Sequence, residues 1–187
     1  FMILHAEKLQ YIRKEGEMKL KTLVLRVLTI LLSLGAMISM AGGAYFTQTG
    51  NEYIELSSES TSFGKWFEML NGDGSFIFGG AEGTWKGSEA FFIISIIVLS
   101  LLIIAIVLQF FIKKNWLQLT VKILSIFALI AVLLAFVLLL AGCLQRVANI
   151  ESVSYMPAVG AWLFLVFGLI GSALGIVCGS KLKNAKR

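Results

Sequence analysis

The chain has 187 residues, of which 58% are hydrophobic and 14% charged, with 16 Lys and Arg against 11 Asp and Glu for a net charge of +5. A soluble domain carries roughly a quarter charged residues, so this composition excludes one; it also excludes a disordered or proline-rich chain. Four apolar stretches of about 20 residues, each enough to cross a ~30 Å hydrocarbon core, leave no room for a separate catalytic domain.

Residues 1–22 form a basic N-terminal segment carrying Lys8, Arg13, Lys14, Lys19 and Lys21. Within it, Lys14-Glu15-Gly16-Glu17-Met18 has two readings. Back-translated, it spells a purine-rich stretch ahead of a start codon, which makes residues 1–17 upstream sequence. Alternatively, residues 1–13 form an interfacial helix with Met2, Leu9 and Ile12 on one face. The first span covers residues 23–46. It resembles a secretory signal and ends in Ala-Gly-Gly-Ala, but its apolar run exceeds the about 7–15 residues of such a signal, so it reads as an uncleaved anchor.

Residues 47–89 make the only sizeable polar piece. Glu52-Tyr53-Ile54-Glu55-Leu56 reads as an edge strand, and residues 75–78 as a second. Between them, Phe63, Trp66, Phe67 and Leu70 fall at i, i+3, i+4 and i+7. That is one face of a short helix beginning after Ser60-Thr61-Ser62 and stopped by Asn71-Gly72. The face packs on the membrane surface or on the loop's own strands, or else docks a partner. Asn71-Gly72-Asp73-Gly74-Ser75 has the middle of a calcium loop, but Met69 and Gly80 stand where the first and last acidic ligands belong. It reads as a glycine-bearing turn.

The second span, residues 90–112, is rich in Ile and Leu and is expected to face lipid most. A short connection, residues 113–120, leads to the third span, residues 121–142, where Ala128, Ala131, Ala135 and Gly142 line one side. A second loop, residues 143–157, precedes the fourth span, residues 158–178, and a basic tail, residues 179–187. Leu140-Ala141-Gly142-Cys143 resembles a lipobox but sits deep in the chain, so a helix end with a buried thiol is expected. Cys143 and Cys178 belong to opposite membrane edges, far beyond the ~6 Å Cα separation of a disulfide.

Chemistry-bearing residues are sparse. The only histidine is His5 and no C-x-x-C pair occurs, so no catalytic residue, metal ligand or cofactor site is expected. No Asp, Glu or Lys lies mid-span and no span contains an internal proline, which disfavours an ion-coupled carrier. Arg26 stands one turn into the first span, and Gln109 near the end of the second.

Charge sets the threading. The N-terminal segment and start of the first span, the 113–122 region and the tail together hold 13 of the 16 basic residues and only Glu7, Glu15 and Glu17 of the acids. Lys65, Lys86 and Arg146 lie on the other side with the remaining acids. By the positive-inside rule both termini are cytoplasmic, in a multi-pass protein of the plasma membrane. The basic residues hug membrane edges, so lipid headgroups explain them and no nucleic-acid partner is expected.

Small-residue spacing is the strongest pattern in the chain. Gly171, Gly175 and Gly179 make overlapping G-x-x-x-G steps, with Gly168 and Ser172 beside them, and Gly35, Ser39 and Gly43 repeat the spacing on the first span. Such grooves let helix backbones approach closely. They face one another within one bundle, or they join subunits. The fold expected is an all-α membrane protein, a bundle of four transmembrane helices with a small extracytoplasmic subdomain of short strands and one short helix.

With one long acidic outer loop, a short inner turn, a short outer loop and cytoplasmic ends, the chain resembles the claudin-like tetraspan layout. Claudins carry a Gly-Leu-Trp and two cysteines in the first outer loop. This loop has Trp66 and Trp85 but neither of those features, so a barrier function is not implied. With Phe78-Gly79-Gly80 before the second span, it also resembles the small four-helix membrane proteins of low-GC bacteria, a group that implies no activity. The function expected is a non-catalytic scaffold or accessory subunit. Its partners would be the bilayer and other membrane-protein subunits or itself. A homo-oligomeric channel is the alternative, followed by a small transporter.

Overall fold

The structure is a computed structural model and describes residues 2–42, 44–52, 55–62, 82–112, 114–149 and 153–181. Four helices dominate: α1 (Met2–Gly42), α2 (Glu82–Phe111), α3 (Asn115–Asn149) and α4 (Val159–Lys181). Each holds a segment long and apolar enough to cross a membrane, namely Leu20–Met40, Gly83–Phe111, Asn115–Gln145 and Val159–Ser180. The α2–α3 connection is tight: the Ile112 N–H donates to the Leu108 carbonyl at 2.8 Å, and the Leu117 N–H to that of Lys114 at 3.2 Å. Pro157, which has no N–H to give, closes the preceding strand. The Ala158 carbonyl then accepts from the N–H groups of Ala161 and Trp162 as α4 begins.

Successive helices run antiparallel, an up-down-up-down bundle. Around it the order is α1, α4, α3, α2, and α1 meets α2 over a much smaller surface than it shares with α4. Three strands cap one end: β1 (Ala44–Glu52), β2 (Glu55–Ser62) and β3 (Val153–Pro157), antiparallel in the order β2-β1-β3. β1 pairs with β2 from Phe46↔Thr61 to Glu52↔Glu55, and with β3 from Phe46↔Pro157 to Gly50↔Val153. The sheet thereby ties the segment after α1 to the segment before α4.

Several expectations change. Of the strand expected at Glu52–Leu56, Glu52 ends β1 and Glu55 and Leu56 open β2, paired antiparallel to it, while Tyr53 and Ile54 lie outside the described residues. Helix α1 stops at Gly42 and the chain is already a strand at Ala44, so Phe46 belongs to the sheet and not to the first span. Helix α2 begins at Glu82 rather than Ala90, and α3 continues past Gly142 to Asn149. The most exposed span is the first, with 22% of its apolar window buried, rather than the second, with 33%. The short helix of Phe63, Trp66, Phe67 and Leu70, the strand at 75–78 and the Asn71–Ser75 turn lie outside the described residues.

The core changes character along the bundle axis. Near the sheet it is aromatic: Trp85, Phe92 and Phe164 are fully buried. The Phe92 and Phe164 rings lie 4.7 Å apart, and those of Phe136 and Trp162 4.6 Å apart, both pairs tilted in the attractive range. Away from the sheet, α2 and α3 bury Leu102, Ile106, Leu117 and Val121, while α4 meets α1 and α3 through small and hydroxyl-bearing residues.

Candidate functional site

Helix α4 presents a small residue to one neighbour or the other at nearly every turn. A Cβ at Gly168 would come within 2.9 Å of the Val132 side chain on α3. One at Gly171 would meet Leu32 Cβ of α1 at 3.3 Å and the Ser33 backbone N and Oγ at 3.4 Å. Gly175 faces both helices: its Cβ would run into Ser125 Oγ of α3 and lie 3.6 Å from Thr29 Cγ2 of α1. At Gly179 it would stand 2.9 Å from the Gln118 carbonyl oxygen and the Lys122 nitrogen. Approach this close to a neighbouring backbone is open only to a residue without Cβ. On α1, a Cβ at Gly35 would lie 3.1 Å from the Phe167 ring.

The sequence-predicted residues Gly35, Gly168, Gly171, Ser172, Gly175 and Gly179 therefore meet in one seam, filled by helices of the same chain. Ser39 is half-buried, and its hydroxyl returns to the Ala36 carbonyl at 2.8 Å. Gly43 lies outside the described residues. Ala128, Ala131, Ala135 and Gly142 are all buried on α3. Cys143 and Cys178 are both buried, and neither forms a disulfide among the described residues.

Hydroxyls thread the same seam. Thr29, Ser33, Ser125 and Ser172 have no exposed surface. The Thr29 hydroxyl donates to the Leu25 carbonyl at 2.8 Å and lies 3.9 Å from Cys178 Sγ, and that of Ser125 donates to Val121 at 2.7 Å. Such back-bonding one turn down is how a helix in apolar surroundings satisfies a hydroxyl internally. The hydroxyls of Ser33 and Ser172, by contrast, have no hydrogen-bond partner among the described residues.

A second polar group occupies the end away from the sheet. One Arg26 guanidinium nitrogen donates to the Gln109 carbonyl at 3.4 Å, and the guanidinium carbon lies 5.5 Å from the Phe110 ring centre, within cation–π reach. The Gln109 side-chain amide donates to the Leu117 carbonyl at 3.4 Å and so links α2 to α3.

Sequence reasoning missed the contacts at the start of α2. A Cβ on Gly142 would sit 3.1 Å from the Trp85 indole, and the Ser88 hydroxyl crosses to the Ala135 carbonyl of α3 at 2.9 Å. Glu89 is buried beside them. A signal was present: Trp85, Ser88, Glu89 and Phe92 fall at i, i+3, i+4 and i+7, a helical face that runs from the expected loop into the second span. Compared with known proteins, the sequence matches no family model and no curated protein.

Proposed function

We propose that this chain is a non-catalytic scaffold or accessory subunit of the plasma membrane, crossing the bilayer four times with both termini cytoplasmic and the sheet outside. The observation that carries this reading is the seam along α4, whose glycines are filled by α1 and α3 of the same chain. A bundle closed in this way has a solid centre rather than a lumen, and its small-residue faces hold the protein's own helices. Partner contact then falls to the surfaces left outside. Of the described residues, the apolar flank of α1 is such a surface, with Leu31 59% and Ile38 68% exposed; the reading also assigns partner contact to Phe63, Trp66, Phe67 and Leu70, on their sequence spacing alone. The orientation follows from Lys21, Arg26, Lys114 and Lys122 lying away from the sheet.

With Cys143 and Cys178 replaced by Ala, single cysteines at Ser58 and Lys86 are expected to react with an impermeant thiol reagent on intact cells. One at Asn115 should react only after permeabilisation; its labelling from outside would overturn the orientation. Exchange of Phe63, Trp66 and Phe67 for Ser is expected to remove a co-purifying membrane subunit while leaving the melting temperature unchanged. A unitary conductance from the reconstituted protein in planar bilayers would replace the scaffold with a pore.

A further inference from the structure

We propose that the α1–α2 seam, at the end away from the sheet, binds the phosphate headgroup of an anionic phospholipid, with Arg26 as the residue that takes the phosphate. Arg26 lies within the apolar segment Leu20–Met40 and is half-buried. Its hydrogen bond and its ring contact both come from α2, the Gln109 carbonyl at 3.4 Å and the Phe110 ring at 5.5 Å. It therefore bridges the two helices where the bundle is least closed. A guanidinium carries several N–H donors in a planar fork suited to phosphate, and the Gln109 carbonyl engages only one.

No described side chain gives Arg26 a carboxylate, and the nearest acid on α1, Glu17, is more than two turns away. The chain has no Asp or Glu from residue 90 to residue 150, nor any after Glu151, so α2 beyond Glu89, α3 and α4 hold no acid, and the described cations at this end include Lys114 and Lys122. A half-buried cation without a countercharge is costly, and an anion at the membrane edge relieves that cost. The surroundings select a lipid over a free ion: Leu23 and Val27 on α1 and Val107 and Phe111 on α2 are large, apolar and exposed, offering the acyl chains a surface beside the headgroup. The proposal rests on the membrane placement given above, but lipid preference is read in detergent and does not depend on orientation. A failed labelling test would thus leave it standing.

The test is native mass spectrometry of the purified chain in detergent with equal phosphatidylglycerol and phosphatidylcholine. Wild type is expected to retain phosphatidylglycerol preferentially. Arg26→Ala should cut that occupancy roughly fivefold, which corresponds to about 1 kcal/mol for one cation at a membrane surface, with phosphatidylcholine unchanged. Lys21→Ala should retain the preference, and inorganic phosphate should not displace the lipid. Equal retention of phosphatidylglycerol by Arg26→Ala and wild type would overturn the proposal, and so would displacement by phosphate, which would mark a free-anion site. Should Arg26→Ala fail to fold, thermal shifts of the wild type decide: equal stabilisation by the two lipids refutes the site.

Discussion

Gly175→Leu is expected to lower the melting temperature in detergent more than any other single change along α4, without altering elution on a size column. A Cβ at this position already strikes Ser125 Oγ, and that hydroxyl is held by its 2.7 Å bond to the Val121 carbonyl. Leucine then adds further carbons between α4, α1 and α3 in a space that has none. Overpacking of this kind costs about 1–3 kcal/mol, and more where backbone must move. Gly175→Ala should be milder, and Ser125→Ala should partly rescue it, since removing the hydroxyl leaves the Ser125 Cβ at 3.1 Å as the nearest obstacle. Lys183→Ala, in the tail, should do nothing. A change of oligomeric size with Gly175→Leu would mean that the groove joins subunits, and wild-type behaviour would mean that α4 does not lie between α1 and α3.

The second large effect is expected at the other end of the bundle. Trp85 is fully buried, and a Cβ at Gly142 would stand 3.1 Å from its indole. Trp85→Ala empties the largest buried side chain of the protein's described core, a change that costs about 3–5 kcal/mol in well-packed interiors. The reciprocal change, Gly142→Val, should destabilise by the opposite route, driving branched carbons into the ring. A combined Trp85→Ala, Gly142→Val protein should be more stable than the two separate losses predict, because each relieves the other. Strict additivity in thermal unfolding would show that the two residues do not touch.

What could be read from the sequence follows from the range over which each signal acts. The four long apolar helices are legible because an apolar run of membrane-crossing length is written contiguously. The glycine and serine spacing on α4 is equally local, and it identified the face that packs. It could not say what fills that face, since Ser33 and Ser125 lie far away in the chain. The sheet was harder. β1 pairs with β3 across more than a hundred residues, and no local pattern announces such a pairing. Its first residues, Ala44-Tyr45-Phe46, are apolar enough to pass for the end of a span. The charges and glycines of Glu82–Glu89 resemble those of a loop, while Trp85, Ser88 and Phe92 carry a helical spacing. The structure resolves that conflict by burying one side of the segment against α3.

The claim at the centre of this account is that the small-residue face of α4 closes the chain's own bundle. Cysteines placed together at Ser33 and Gly171, with Cys143 and Cys178 changed to Ala, test it most directly. A Cβ at 171 lies 3.4 Å from Ser33 Oγ, close enough for two sulfurs to bond with little adjustment. Mild oxidation in native membranes should yield a disulfide within the monomer, seen as two thiols lost to a maleimide reagent with no change in the monomer band on a non-reducing gel. A disulfide-linked dimer, or two thiols that stay free, would contradict the account.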